Sequence, residues 1–98
     1  MRRAAKTDEN QKEIVAAFRG LGFTVAITSA LGQGFPDLVV GKWGRNFLIE
    51  VKDGEKPPSK RQLTDAEEEF ASGWRGQYDV IKSVSEVMEF NGRVFELD

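Results

Sequence analysis

The sequence predicts an α/β fold in which a mixed β-sheet is flanked by helices. Apolar residues recur at helical spacing near the N-terminus, and three short segments rich in β-branched or aromatic residues follow. A second helical segment separates these strands from a fourth strand, and a third helix comes after it. Because a sheet and its helices bury their apolar faces against each other, the order α-β-β-β-α-β-α favours one layered domain over residues 1–98.

The first half of the chain contains one helix and three strands. Ile14, Phe18 and Leu21 form the apolar stripe of a helix over residues 8–19, which Thr7 or Asp8 can cap. Strands are predicted at 23–28, 37–40 and 46–52, with a flexible glycine-rich loop at 29–34. The turn at 43–45 joins the second and third strands into a hairpin.

The second half begins with a loop at 53–58, where paired prolines prevent regular hydrogen bonding. Thr64 and Glu67 fit a capping box that opens a helix running to about residue 74, and a strand follows at 78–82. Ser83 and Glu86 fit a second box, which opens a short helix through residue 89. Asn91 and Gly92 are expected to end that helix, and residues 94–97 to add an edge strand.

Composition narrows the chemistry that the chain can perform. It has no cysteine and no histidine, which excludes disulfides, thiolate zinc sites, a cysteine nucleophile and a histidine base. Carboxylates and lysines remain for any hydrolytic reaction, and oxygen ligands suit hard cations, so Mg²⁺ or Mn²⁺ is the expected metal. No apolar run approaches a membrane span and no secretory leader is evident, so we expect a cytoplasmic location and no membrane partner.

Charge is unevenly distributed along the chain. The net charge is −2, which does not by itself indicate a nucleic-acid-binding protein. Residues 42–61 nevertheless contain six basic and three acidic side chains, whereas residues 65–69 contain four acids and no base. Such a distribution is compatible with a basic face that contacts phosphates, and equally with a mixed solvated surface.

Three residues of the predicted hairpin can carry catalysis. Glu50 and Lys52 are two positions apart, so both side chains lie on one face of the strand while Val51 points into the core. Asp37 follows Pro36 at the start of the neighbouring strand, so antiparallel pairing brings it to the Glu50–Lys52 end. Two carboxylates and a backbone carbonyl, that of Val51, can hold one or two Mg²⁺ ions, while Lys52 orients or deprotonates the attacking water. The local pattern alone also fits a simple Glu50–Lys52 ion pair with Asp37 as a turn residue.

Two segments together resemble the VRR-NUC family of nucleases. They are residues 34–40 (GFPDLVV) and residues 47–54 (FLIEVKDG), and the likeness extends to the leading helix with Glu13 and to the PPSxxQL run at 57–63. VRR-NUC domains occur in phage and bacterial proteins and in a eukaryotic DNA-repair nuclease. They belong to the PD-(D/E)xK superfamily, as do the archaeal Holliday-junction resolvases. The resemblance implies a restriction-endonuclease-like fold.

The resemblance also implies roles for individual residues. Asp37 and Glu50 would be the principal metal ligands and Lys52 the catalytic lysine, with Glu13 as a supporting acid from the first helix. Gln62 resembles a polar residue used near the site. The cations of the following loop would contact DNA phosphates without reading sequence, namely Lys56, Lys60 and Arg61.

These observations predict a metal-dependent DNA endonuclease that selects branched DNA, such as a four-way junction, by shape. The resemblance and the small size favour a homodimer that presents two sites to two strands, and a phage or prophage origin. The alternatives are a non-catalytic nucleic-acid-binding module that keeps the nuclease fold, and a nuclease acting on RNA or a restriction-type enzyme. The complete set of Asp37, Glu50 and Lys52 favours a catalytic protein.

Overall fold

The computed structural model describes residues 9–95. Its elements follow the predicted order: α1 (Gln11–Gly20), β1 (Thr24–Ile27), β2 (Leu38–Lys42), β3 (Arg45–Val51), α2 (Asp65–Gly73), β4 (Tyr78–Ile81) and α3 (Val84–Phe95). Short 3-10 turns occupy Ser29–Leu31 and Pro58–Lys60. The prediction of an α/β fold with a mixed sheet flanked by helices is therefore confirmed.

The four strands form one sheet in the order β1-β2-β3-β4. The pairs β1/β2 and β2/β3 are antiparallel, and the second of these is the predicted hairpin, with Leu38 opposite Ile49. β4 runs parallel to β3, with Val51 opposite Ile81. Parallel neighbours require a long crossover, and the segment containing α2 provides it.

One face of the sheet carries the main core. Alternate residues of β3, ending with Val51, pack with the apolar stripes of α1 and α3, so Ile14, Phe18 and Val87 are fully buried. None of the helices within residues 9–95 combines the length and apolar character that crossing a membrane requires. The stripe predicted for the first helix is confirmed, because Ile14 and Phe18 lie in this core and Leu21 packs against it.

The other face of the sheet is covered more lightly, by α2. No residue of this helix is fully buried. Phe70 contacts the rings of Phe35, Trp74 and Tyr78, at centroid distances of 5.2, 5.4 and 6.4 Å. The capping box predicted for α2 is present, with Glu67 N–H donating to Thr64 Oγ1 and Thr64 N–H donating to Glu67 Oε1. α2 is thus a well-capped helix that lies on the sheet through a few aromatic contacts and its first turn.

The last helix is longer than predicted, which corrects two expectations. α3 continues through Asn91 and Gly92 to Phe95, so Val94 and Phe95 are helical and not part of an edge strand; residues 96 and 97 lie outside the described range. A glycine costs a helix interior about 1 kcal/mol. Burying the side chain of Phe95, which is 8% exposed, gains about 2 kcal/mol and outweighs that cost. Asn91 accepts a hydrogen bond from Lys42 Nζ, so it is satisfied within the helix.

The start of α1 and the cap of α3 also differ in detail from prediction. α1 begins at Gln11 rather than residue 8, and the predicted caps Thr7 and Asp8 lie outside the described residues. Ser83 Oγ accepts from Glu86 N–H, as a capping box requires, but the Glu86 carboxylate accepts from Lys82 N–H instead of returning to Ser83. Of the two hydrogen bonds of the predicted second capping box, only the one from Glu86 N–H to Ser83 Oγ is confirmed.

Gly34 is expected to be the most sensitive glycine of the fold. It has φ +81°, and an added Cβ would lie 2.3 Å from the carbonyl oxygen of Ala66 in α2. We expect Gly34→Ala to lower the free energy of unfolding by about 3 kcal/mol, because it adds steric overlap to backbone strain. Gly32→Ala is a matched control, since Gly32 also has positive φ (+73°) but nothing within 4 Å of its Cβ position, so it should lose only the backbone-strain part, about 1–2 kcal/mol.

Urea denaturation of both variants measures this difference, and near-ultraviolet circular dichroism, to which the stacked Phe70 and Trp74 contribute, reports whether the packing of α2 changes. Equal losses of stability in the two variants would show that the close approach of Gly34 to α2 contributes nothing.

Candidate active site

Asp37 is held firmly at the entrance to β2. It lies one residue before the strand, and continuing the register of β2 and β3 places it opposite Glu50. Its Oδ2 accepts a hydrogen bond from Val51 N–H at 2.8 Å, and its carbonyl oxygen accepts one from Thr28 N–H at 2.7 Å. The start of β2 therefore lies beside the end of β3, as the sequence predicts.

Glu50 is the most deeply buried acid of the described chain. Its side chain points away from the main core, toward the face that α2 covers, and the residue is only 2% exposed. One carboxylate oxygen, Oε1, is buried without a hydrogen-bond partner. The other, Oε2, lies 3.8 Å from Lys52 Nζ. A buried carboxylate with an unused oxygen is costly to maintain, and it is typical of a group that awaits a ligand.

A third acid, Glu67, completes the cluster and was not predicted to belong to it. Its Oε1 lies 2.8 Å from Lys52 Nζ, closer than any Glu50 oxygen, and it also accepts from Thr64 N–H. The Thr64-x-x-Glu67 spacing indicated only a helix cap. One carboxylate oxygen performs both tasks, and nothing in the local sequence shows the second, because it depends on where α2 docks.

The electrostatics of the cluster follow from burial and mutual repulsion. Burial raises the pKa of Glu50 to about 9, and the charges of Asp37 and Glu67 add to the effect. Burial also raises the pKa of Asp37, against the lowering effect of the Val51 N–H bond. For Glu67, burial opposes ionisation, but the hydrogen bonds from Lys52 and Thr64 outweigh it and the pKa is lowered. Glu50 is therefore neutral at pH 7 and Glu67 is ionised beside Lys52.

Tyr78 lies next to this cluster on β4. Burial and the nearby negative charges of Glu50, Glu67 and Asp37 raise its pKa to about 12. The phenol stays protonated at neutral pH and can only donate or accept a hydrogen bond there. Its place opposite Leu48 in the β3/β4 register directs it to the same face as Glu50.

Asp37 and Glu50 fit a hard divalent cation. All the available ligands are oxygens, and the unpartnered Oε1 of Glu50 is a ready acceptor. Within residues 9–95, no three acidic side chains are already spaced around a common ion. Mg²⁺ is commonly held by one or two carboxylates, with water and substrate phosphate completing its shell, so a two-carboxylate site meets its requirement.

Glu13 lies in an adjoining cleft. It is exposed on α1 and lines this cleft together with Asn10, Asp53 and Arg61. None of the described contacts joins Glu13 to Asp37, Glu50 or Lys52, so its role as a metal ligand stays a prediction.

Asn10 is a structural residue of this region that sequence reasoning missed. It occupies the N-cap position of α1 but makes no side-chain cap. Its Nδ2 instead donates to the carbonyl oxygens of Lys52 and Lys82, at 3.1 and 3.0 Å. It therefore ties the start of α1 to the ends of β3 and β4, and a capping motif in the sequence does not reveal such long-range bonds.

The predicted DNA contacts follow the end of β3. Lys60 and Gln62 are exposed, whereas Lys56 and Arg61 are half-buried. Arg61 Nε is buried without a hydrogen-bond partner, and the side chain lines the same cleft as Glu13. These positions are compatible with phosphate contacts, and their roles, like that of Gln62 near the site, stay predictions.

Comparisons with known proteins bear on the fold and the class of the domain. No family model matches the sequence, and no curated protein matches it. One solved structure, described as a VRR_NUC domain, is similar over 89% of this chain and 92% of that one. The identity is 29% and the TM-score 0.55.

The likeness to a VRR_NUC domain supports a nuclease-type domain, and the mixed sheet of this chain brings two acids and a lysine together. The similarity to a VRR_NUC domain structure over 89% of the chain supports the particular kind that the sequence resemblance predicts, a VRR-NUC domain nuclease.

Proposed function

We propose that this protein is a divalent-metal-dependent DNA endonuclease with Asp37, Glu50 and Lys52 at its catalytic centre. The observation that carries the proposal is the convergence of these three side chains, with an unpartnered oxygen of Glu50 buried between strands and helix. A simple Glu50–Lys52 ion pair does not require a second, half-buried acid, Asp37, opposite Glu50. The VRR_NUC likeness supports the nuclease class.

Different residues would have different roles in phosphodiester hydrolysis. Asp37, Glu50 and the Val51 carbonyl would hold Mg²⁺ or Mn²⁺, with Glu13 supporting from α1. When bound, such an ion lowers the pKa of a water ligand and offsets charge on the phosphate. Lys52 lies beside Glu50, where its ammonium can orient the attacking water and stabilise the developing negative charge.

The substrate proposed is DNA, held by its backbone. Lys56, Lys60 and Arg61 follow directly on the strand that carries Glu50 and would contact phosphates beside the scissile bond. Gln62 would supply a polar contact near the site. A domain of this size would select its DNA substrate by shape. Such selection favours a branched substrate, such as a four-way junction, cut by a symmetric homodimer.

Cleavage of linear, flapped and four-way-junction DNA with Mg²⁺, Mn²⁺ or EDTA tests the proposal. We expect cutting only with metal, and a loss of about 10³-fold in Asp37→Ala, because a carboxylate ligand is removed. Asp65→Ala is a matched control, since Asp65 is an exposed acid in the first turn of α2. Persistent activity in EDTA would contradict metal dependence, and metal-independent DNA binding without cutting would indicate a non-catalytic module. Sizing chromatography with and without junction DNA tests the dimer.

A further inference from the structure

Glu67 connects two parts of the molecule that the fold otherwise leaves loosely joined. A single oxygen, Oε1, accepts from Thr64 N–H at 2.9 Å and from Lys52 Nζ at 2.8 Å. The first bond belongs to the start of α2, and the second reaches across to the residue that follows β3. The start of the helix is thus bonded directly to the lysine of the active site.

The environment of the pair makes this bond strong enough to control the lysine. The side chains of Lys52 and Glu67 are 12% and 20% exposed, so water screens the pair only partly. Glu50 Oε2 is a full 1.0 Å farther from the same ammonium, at 3.8 Å compared with 2.8 Å. Charge-assisted hydrogen bonds at this distance are roughly twice as strong as neutral ones. Of these two acids, Glu67 therefore makes the closer and stronger bond to the Lys52 ammonium.

Because α2 is weakly attached, the bond between Glu67 and Lys52 depends on the docking of this helix. No residue of α2 is fully buried, and Phe70 supplies most of its ring contacts with the rest of the molecule. Whether Glu67 reaches Lys52 depends on α2 lying against the sheet. A displaced helix would remove the acceptor and leave the ammonium less well placed.

We infer that Glu67 is a positioning residue that holds the Lys52 ammonium in place and makes an ordered lysine conditional on the docking of α2. The inference rests on the proposed function for its catalytic consequence, but the placement of Lys52 can be measured without cleavage. It assigns to a helix-capping residue a role in the active site.

Three variants separate positioning from helix capping and from net charge. Glu67→Ala removes both bonds of Oε1. Thr64→Ala removes the other half of the capping box and leaves the Lys52–Glu67 pair in place. Glu68→Ala removes an acid from the next, exposed position of α2. Thermal unfolding of each variant gives the loss of stability against which the other results are compared.

The first readout is the rate at which Lys52 is acetylated by an N-hydroxysuccinimide ester in metal-free protein, measured by mass spectrometry. We expect about a tenfold faster reaction in Glu67→Ala, because a hydrogen bond between charged groups is lost, and little change in the two controls. The second readout is single-turnover cleavage with Mg²⁺. There Glu67→Ala should lose about tenfold in rate constant with unchanged DNA affinity, which a merely structural cap would not produce.

Equal Lys52 reactivity in Glu67→Ala and Thr64→Ala would overturn the inference, because the cap alone would then explain the effect. If Glu67→Ala does not fold, Glu67→Gln replaces it: glutamine keeps an acceptor for Thr64 N–H but weakens the bond to Lys52. Faster acetylation of Lys52 in that variant supports the inference, and a wild-type rate overturns it. A wild-type protein that cuts no DNA contradicts the proposed function and leaves the acetylation result to decide this inference.

Discussion

Glu50→Gln is expected to be more stable than the wild type in metal-free buffer at pH 8, by about 3 kcal/mol. The pKa of Glu50 is raised from 4.5 to about 9 by burial beside Asp37 and Glu67. Between these values the folded protein keeps a proton on Glu50 that the unfolded chain has lost. Raising the pH through this window therefore lowers stability, and the loss is complete only above the folded pKa. Glutamine has the same shape and no proton to lose.

Urea denaturation in EDTA at several values between about pH 5 and about pH 9 measures this effect. The wild type should lose stability steadily as the pH rises, whereas Glu50→Gln should show a much flatter profile. Glu68→Gln is the control, because Glu68 is exposed on α2, and it should follow the wild type. Parallel profiles for Glu50→Gln and the wild type would show that Glu50 is not destabilising in the fold.

The same substitution is expected to abolish metal-dependent cleavage, so stability and activity change in opposite directions. An amide offers a cation one neutral oxygen where the carboxylate offers two charged ones. A gain of stability on removing a buried ionisable group is typical of a functional site, since such groups are retained for chemistry at a cost in stability.

Lys52→Ala is expected to lower the single-turnover rate of cleavage by about 10²–10³-fold. The ammonium lies between two acids, 3.8 Å from Glu50 and 2.8 Å from Glu67. In the proposed mechanism, its removal takes away a positive charge that would offset the developing negative charge. Because the loss falls on the chemical step, it should persist at saturating enzyme concentration and Mg²⁺.

Lys60→Ala is the matched control, since Lys60 is an exposed lysine of the same loop region. Its effect should be a weaker, salt-dependent affinity for DNA that higher protein concentration restores. A full cleavage rate in Lys52→Ala, or a defect that added protein cures, would contradict a role for Lys52 in the chemical step.

The sequence determined the sheet and the position of the Glu50–Lys52 pair, because these depend on local rules. Side chains alternate along a strand, so Glu50 and Lys52 had to share a face that Val51 does not. A short turn joins β2 to β3, so Asp37 had to meet the Glu50 end. Capping residues marked the start of α2 in the same way, since a cap bonds to its own helix.

Only the tertiary structure decided how far α3 extends and which further residues reach the site. Asn91 and Gly92 are typical helix ends, but α3 passes through them because Phe95 is buried against the sheet. Asn10 bonds to two strand ends, and one of these bonds, to the Lys52 carbonyl oxygen, spans 42 residues of sequence. The bond between Glu67 and Lys52 spans 15 residues. Contacts between distant segments depend on how helices dock, and local spacing does not encode docking.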